Sequence, residues 1–176
     1  MNPIPVAPSA ETAPPAEKNT FTVLFDGSPI EVPKDINLIE AAKLAGIEIP
    51  HFCFHPRLSV VGQCRMCLVE IEGIPKIQAA CTTPLKDGLS VKTKTEKVVE
   101  GRAANMEFLL INHPLDCPIC DQAGECKLQD NSFGYGDQKS RFDERKRQYP
   151  GYGRTMIGPH VIADMTRCIQ CTRCIR

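Results

Sequence analysis

The sequence predicts an α+β fold, and the order of its short hydrophobic segments is the main reason. Phe21–Phe25 and Pro29–Val32 have the composition of strands, and Asp26-Gly27 between them is a hairpin signal. A helix and a long loop follow, and three further strands are predicted at Leu68–Ile71, Lys76–Ala80 and Ser90–Lys92. A strand pair, a helix, a long loop and more strands, in this order, are typical of a β-grasp domain.

Capping signals delimit the helix that follows the strand pair. Asn37 and Glu40 match an N-terminal capping box, and Gly46 stands where a C-terminal cap belongs. The apolar residues between them fall on one helical face: Leu38, Ala41, Ala42 and Ala45. The next segment, residues 50–65, has no periodicity. Connections of this length are usually functional.

A second helix is predicted after the last strand of the sheet. Thr93 and Glu96 match another capping box, and an amphipathic face is predicted at Val99, Ala103, Met106 and Leu110. The helix should end near Asn112, because Pro114 disfavours helical geometry at His113. From His113 onward we expect little regular secondary structure, with metal ligation supplying much of the folding free energy.

Composition excludes several classes of function. The 176 residues carry 21 basic and 21 acidic side chains, which argues against nucleic acid or anionic lipid as a partner. The basic stretch 139–148 contains Asp143 and Glu144, so a solvated or partner-facing surface is expected there. No apolar run approaches the roughly 18–20 residues that cross a bilayer. The first 19 residues lack secretory-signal features, and their Pro/Ala-rich composition predicts a disordered tail.

Ten cysteines in three groups carry the chemistry of this chain. Because nothing directs secretion, metal sites are a better interpretation of these spacings than a disulfide framework. The groups are Cys53-x10-Cys64-x2-Cys67-x13-Cys81, His113-x3-Cys117-x2-Cys120-x5-Cys126, and Cys168-x2-Cys171-x2-Cys174. Iron–sulfur clusters are held by loops in which a C-x2-C pair and more distant thiolates surround the irons. The sequence therefore predicts an electron-transfer protein, with no candidate catalytic acid, base or nucleophile.

The first group favours a [2Fe–2S] cluster. Four thiolates satisfy two irons, and the predicted β-grasp pattern surrounds them. Gly62 can adopt the positive φ that turns backbone N–H groups toward sulfur. A four-cysteine zinc site is the alternative, but such sites usually contain two C-x2-C pairs and this group contains one.

The other two groups favour [4Fe–4S] clusters. Three thiolates and the His113 imidazole could equally hold zinc, and only the position of this group between two iron–sulfur signatures favours a cluster. The third group is the C-x2-C-x2-C signature itself, and its fourth ligand is absent from the sequence. His160, and less so His51 or His55, are weak candidates for that ligand. We expect one [2Fe–2S] and two [4Fe–4S] clusters, the last incomplete.

These assignments divide the chain into four predicted parts. Residues 1–19 form the tail, and residues 20–97 form a [2Fe–2S] ferredoxin-type β-grasp domain. Residues 98–140 form a histidine/cysteine-ligated [4Fe–4S] domain, and residues 141–176 begin a further [4Fe–4S] ferredoxin-like segment.

Three motifs resemble one family. From about Phe21 to the last residue, the chain resembles the N-terminal region of the large iron–sulfur subunit of respiratory complex I (NADH-quinone oxidoreductase), which is the 75 kDa subunit in mitochondria. The motifs are GQCRMCLVEI, NHPLDCPICDQAGECKLQD and MTRCIQCTRCIR. The resemblance implies the same three ligand sets, with a fourth cysteine for the last cluster further along a longer chain.

The resemblance also implies a function and a location. It implies electron relay from NADH, oxidised at a flavin on a partner subunit, toward quinone, in the peripheral arm of a proton-translocating complex. A bacterial chain of this family would lie at the cytoplasmic face of the membrane without spanning it, and without binding nucleic acid. The alternatives are an electron-transfer subunit of an NAD-linked hydrogenase or formate dehydrogenase. A zinc-stabilised interaction module is the non-redox alternative.

Overall fold

The computed structural model describes residues 19–137, 139–148 and 153–176. The predicted disordered tail lies outside these residues except for Asn19. The helices and strands of the described residues are β1 (Thr20–Phe25), β2 (Ser28–Pro33), α1 (Leu38–Leu44), β3 (Leu68–Ile71), β4 (Gln78–Ala79), β5 (Leu89–Lys92), α2 (Glu96–Leu110), α3 (Lys127–Tyr135), β6 (Arg154–Met156) and β7 (Ile162–Asp164). Single 3₁₀ turns cover Ala80–Thr82, Cys117–Ile119, Met165–Arg167 and Arg173–Ile175. Among these residues, no helix has the length and apolar composition needed to cross a bilayer.

Five strands form one mixed sheet in the order β2-β1-β5-β3-β4. β1 pairs antiparallel with β2 and parallel with β5, and β5 pairs antiparallel with β3. The apolar side of this sheet packs with α1 into a core that includes Val23, Phe25, Leu38, Val69 and Val91. The predicted α+β architecture is therefore confirmed. Its fourth strand is shorter than predicted, because the chain turns into a 3₁₀ helix at Ala80.

The two predicted capping boxes have different outcomes. The Asn37 side chain accepts hydrogen bonds from the N–H groups of Ile39 and Glu40, so the first box is confirmed. The second is wrong: α2 begins after Thr95, whose side chain makes no capping hydrogen bond. Thr93 instead donates from its N–H and Oγ1 to the Asp26 carboxylate, at 2.7 and 2.6 Å. This contact joins the end of β5 to the β1–β2 turn.

The buried face of α2 also differs from the predicted one. Val98, Arg102 and Met106 are buried, whereas Val99 is 54% exposed. The Arg102 guanidinium donates to the carbonyl of Leu68 from Nε (3.2 Å) and Nη2 (2.7 Å). A buried charge is tolerated only when it is hydrogen-bonded. The hydrophobic pattern missed this face because it treats every arginine as a surface residue.

Regular structure continues beyond His113, contrary to the prediction. α3 begins directly after Cys126, and β6 and β7 form a two-stranded antiparallel hairpin. Only Leu128 of α3 is buried, so the sequence of this helix has little amphipathic signal. Leu128 belongs to a second core that joins α2 and α3 to the cysteine loops; its buried members are Phe52, Cys53, Cys64, Met66, Met106 and Leu128.

The basic segment 139–148 folds back on α2. Arg141 forms an ion pair with Glu107 through Nη2 and Oε2 at 2.5 Å. Lys146 donates from Nζ to the carbonyls of Leu110 (2.7 Å) and Ile111 (3.0 Å). Carbonyls at a helix C-terminus lack partners within the helix, and a cation there satisfies them. Part of the surface expected to face solvent or a partner therefore caps α2, just before His113.

Candidate iron–sulfur sites

The four cysteines of the first group lie together and are buried. Their exposed fractions are at most 8%, the value for Cys64. Hydrogen bonds connect the thiols in a chain, because Cys64 and Cys81 both bond to Cys53, and Cys81 also bonds to Cys67. The structure therefore brings together all four residues that the sequence predicts for this site.

Pairing of β3 with β4 positions Cys67 and Cys81. Cys67 immediately precedes β3, and Cys81 lies in the 3₁₀ turn that follows β4. Leu68 pairs with Ala79 in the sheet, and the Ala80 N–H donates to the Cys67 carbonyl at 2.8 Å. These backbone bonds fix the two thiols at one end of the same strand pair, although 13 residues separate them in the chain.

The long loop brings Cys53 to Cys64. The N–H groups of Phe52 and Cys53 point at the Cys64 sulfur, at 3.4 and 3.5 Å. Gly62 has a φ of 61°, and a Cβ there would lie 3.0 Å from Thr82 Cγ2, so this turn requires glycine.

Helix α2 holds the C-x2-C segment of this site from the other side. Asn105 Nδ2 donates to the carbonyl of Arg65, at 2.9 Å. Arg65 lies between Cys64 and Cys67 and has a φ of 54°. Together with the Arg102 bonds to the Leu68 carbonyl, this contact fixes the backbone on both sides of Cys67.

The thiols divide into hydrogen-bond acceptors and donors. Hydrogen bonds from Cys64 and Cys81 lower the pKa of Cys53, and the bond from Cys81 lowers the pKa of Cys67. The bond to Cys53 raises the pKa of Cys64, and the bonds to Cys53 and Cys67 raise the pKa of Cys81. Metal ligation requires thiolates, so binding here would release protons from thiols that now donate to their neighbours.

Three of the four residues of the second group line one cavity. His113, Cys120 and Cys126 face a cavity of about 520 Å³, whereas Cys117 does not line it and is exposed. Cys117 and Cys120 bracket a 3₁₀ turn in which the Cys120 N–H donates to the Cys117 carbonyl at 3.1 Å. Burial lowers the pKa of His113, which favours the neutral imidazole that ligates metals.

The third group lies beside the second. Cys171 lines the same cavity as His113, Cys120 and Cys126, whereas Cys168 and Cys174 are exposed. Left-handed backbone at Gln170 (φ 54°) and Thr172 (φ 62°) coils this segment tightly. His160, the first of the weak candidates for a fourth ligand, is exposed between β6 and β7.

An ion pair that the sequence pattern did not reveal joins the second and third groups. Arg167, next to Cys168, donates from Nη2 to the carboxylate of Asp116, next to Cys117, at 2.7 Å. Arg167 also lines the shared cavity. The adjacency of each charged residue to a cysteine was the available signal, but nothing in the spacing links the two.

The donors around the shared cavity suit an anionic group. Two buried polar atoms of the third segment, Thr172 Oγ1 and Arg173 Nε, have no hydrogen-bond partner among the described residues. Arg173 lines the cavity with Arg167 and with cysteines of both groups. Buried donors of this kind require an acceptor, and cluster sulfides and thiolates are acceptors. Among the described residues, no three His, Cys, Asp or Glu side chains are arranged around a point that would suit one metal ion.

Comparison with protein families identifies two iron–sulfur regions. Residues 18–96 match the family described as 2Fe-2S iron-sulfur cluster binding domain. Residues 102–141 match the NADH-ubiquinone oxidoreductase-G iron-sulfur binding region. The sheet domain and the segment that follows it therefore define an iron–sulfur protein.

Individual relatives confirm the resemblance that the motifs predicted. The chain is 49% identical over 162 residues to the mitochondrial NADH dehydrogenase [ubiquinone] iron-sulfur protein 1 of Solanum tuberosum, an alignment covering 92% of this chain and 22% of the relative. It is 54% identical over 152 residues to an NADH-quinone oxidoreductase protein of the same kind from Rickettsia felis, covering 86% of this chain and 22% of the relative. The chain resembles the large iron–sulfur subunits of NADH-quinone oxidoreductase over most of its own length, and spans 22% of the length of these relatives.

A solved structure shares the fold. The crystal structure of an NAD⁺-reducing [NiFe]-hydrogenase in the H₂-reduced state contains a chain that is 34% identical, with a TM-score of 0.76. The alignment covers 88% of this chain and 64% of that chain.

Proposed function

We propose that this chain is an electron relay of an NADH:quinone oxidoreductase, passing electrons that originate from NADH toward quinone. The observation that carries the proposal is the set of four buried, contacting thiols inside a domain that matches a [2Fe–2S] family. The names of its relatives, an NADH dehydrogenase protein and an NADH-quinone oxidoreductase subunit, supply the electron donor and acceptor.

The ligand assignment proposed for each cluster follows the three groups. Cys53, Cys64, Cys67 and Cys81 would hold a [2Fe–2S] cluster in a domain of residues 20–97. His113, Cys117, Cys120 and Cys126 would hold a [4Fe–4S] cluster in residues 98–140. Cys168, Cys171 and Cys174 would hold three irons of another [4Fe–4S] cluster in residues 141–176. When bound, such clusters accept and donate single electrons.

The protein contributes ligation, dry packing and fixed charges. Phe52, Met66, Met106 and Leu128 form a core in contact with thiols of the first group, and Cys126 and Cys171 pack against the same core. This core would keep water from the space between the sites. Backbone N–H groups aimed at Cys64 would stabilise the thiolate form. The hydride chemistry of NADH would belong to a flavin on a partner subunit.

The proposed partners are other subunits of such a complex, including the one that binds flavin and NADH. The proposed location is the cytoplasmic face of a bacterial membrane, reached through these partners.

A second candidate function is supported by the solved structure. The 34% identity and shared fold with a chain of an NAD⁺-reducing hydrogenase favour an electron-transfer subunit of that kind of enzyme. The site chemistry would be the same, and only the electron acceptor would differ. The higher identities to the NADH dehydrogenase relatives favour the first candidate.

Complementation tests the proposed function. The chain would replace the homologous region of the large iron–sulfur subunit in a bacterium lacking that region, and membranes would be assayed for NADH:quinone activity. We expect restored activity that Cys64→Ala abolishes and that the exposed-residue control Lys97→Ala leaves intact. Assembly of the complex without any activity would contradict the proposal, and so would zinc in place of iron and sulfide in the purified chain.

A further inference from the structure

One arginine nitrogen lies between the first and third cysteine groups. Arg176 Nη2 donates to the carbonyl of Cys53 at 2.7 Å and to the carbonyl of Cys171 at 3.4 Å. The same guanidinium also donates to the carbonyl of Ser59, through Nη1, and to that of Thr172, through Nε at 3.2 Å. All four acceptors are backbone carbonyls, two from each cysteine segment.

Arg173 makes a parallel contact. Its Nη2 donates to the carbonyl of Phe54, the residue after Cys53, at 2.5 Å. Arg173 lies between Cys171 and Cys174 in the chain, so one side chain reaches from the third C-x2-C-x2-C segment to the loop of the first site. Guanidinium groups present several donors in a rigid plane, which suits them for holding carbonyl groups in fixed positions.

We propose that Arg173 and Arg176, here called the arginine clamp, are positioning residues that fasten the Cys53 loop to the third site and raise the reduction potential of the first cluster. This inference rests on the proposed function, because it assumes a [2Fe–2S] cluster on the four thiols. The clamp makes the shortest chain of bonds and hydrogen bonds between the two segments: Cys171 to Arg173, to the Phe54 carbonyl, to Cys53.

The direction of the effect on potential follows from charge. Reduction adds one negative charge to the cluster, and a nearby positive charge stabilises the reduced form more than the oxidised form. Net charge and hydrogen bonding around a cluster are among the terms that set its potential. Both arginines are partly buried, so their charges are screened less than those of exposed side chains.

The test uses the full 176-residue chain with matched variants. Arg173→Gln and Arg176→Gln remove the charge, whereas Arg173→Lys and Arg176→Lys keep it but cannot form the same set of bonds. Arg57→Gln is the control, because Arg57 is exposed and lies in the same loop as Phe54. Two quantities are measured: the potential of the first cluster, by redox titration of its EPR signal, and hydrogen exchange of the amides in residues 53–60.

Each variant has a defined expected result. The glutamine variants should lower the potential, and loop exchange should be about tenfold faster, as expected for loss of one hydrogen bond to a charged group. The lysine variants should exchange faster in the loop while retaining a potential close to the wild-type value. Arg57→Gln should change neither quantity. If either quantity stays unchanged in both glutamine variants, the proposal is overturned.

A failure of the proposed function gives a different pattern. If the wild-type chain binds no iron and sulfide, the electron-relay proposal fails and the potential has no meaning. If only the glutamine variants lose the cluster, loop exchange in metal-free protein decides. Faster exchange confined to residues 53–60 supports the clamp, whereas loss of protection throughout the sheet contradicts it.

Discussion

The sulfur atom of Cys64 is the most closely coordinated by the protein backbone in the first site, since two N–H groups point at it. We expect Cys64→Ser to abolish or strongly reduce the reduced-state EPR signal of the [2Fe–2S] cluster, because a serine oxygen is a poor substitute for a thiolate. The sheet should remain folded, since its main core does not include Cys64. Cys117→Ser is the matched control, and it should leave this signal unchanged. A full signal in Cys64→Ser would remove Cys64 from the ligand set.

The buried guanidinium of Arg102 is expected to stabilise the junction of α2 with the sheet. Arg102→Met would leave the Leu68 carbonyl without two hydrogen bonds and remove the contact of the guanidinium with the Tyr135 ring, 5.5 Å away. We expect the free energy of unfolding to fall by about 1–3 kcal/mol in chemical denaturation. Lys97→Met, an exposed change on the same helix, should stay within about 0.5 kcal/mol of wild type. Equal effects of the two substitutions would contradict the structural role of Arg102.

The residues that sequence reasoning found and missed differ in a physical way. Cysteine spacing indicated the four thiols of the first site, because ligands of one cluster must be close whatever the fold. Arg102, Arg167 and Arg173 were missed because each donates to a group far away in sequence: the carbonyls of Leu68 and Phe54 and the Asp116 carboxylate. No periodicity or motif encodes contacts of this kind.

At the scale of elements, the C-terminus of α2 is expected to position His113. Lys146→Met would remove the cation that donates to the carbonyls of Leu110 and Ile111, just before the histidine. We expect a loss of about 1 kcal/mol in stability and a lower content of the second cluster, measured as iron and sulfide per chain. Arg145→Met, an exposed neighbour of the same charge, is the control. An unchanged cluster content in Lys146→Met would show that the helix end holds His113 without this cap.

Local signals predicted the elements that satisfy their own hydrogen bonds and failed where distant groups intervene. The capping box of α1 formed because Asn37 and Glu40 need only each other and the helix. The box predicted at Thr93 did not form, because the Asp26 carboxylate from the β1–β2 turn bonds to Thr93 instead. α3 was missed because its burial depends on packing against α2 and the cysteine loops, which no local pattern reports.

At the scale of the whole molecule, the two cores should respond differently to metal removal. The main core lies between the sheet and α1, whereas the second core includes Cys53 and Cys64 and packs against Cys126 and Cys171. In chelated protein we expect the amides of β1, β3 and β5 to stay protected from hydrogen exchange. Amides of residues 113–135 and 165–176 should lose protection, because metal binding contributes to folding where the apolar core is small. Equal loss of protection in the sheet would contradict the independence of the two cores.

The central claim is that this chain holds more than one kind of iron–sulfur cluster and passes electrons between them. EPR spectroscopy of the anaerobically purified, chemically reduced chain, recorded over a range of temperatures, tests that claim most directly. We predict one slowly relaxing signal, assigned to the [2Fe–2S] cluster by its loss in Cys64→Ser. We also predict at least one faster-relaxing [4Fe–4S] signal, which should disappear in Cys120→Ser while the first remains. A colourless, zinc-containing chain with no reduced-state signal would contradict the claim.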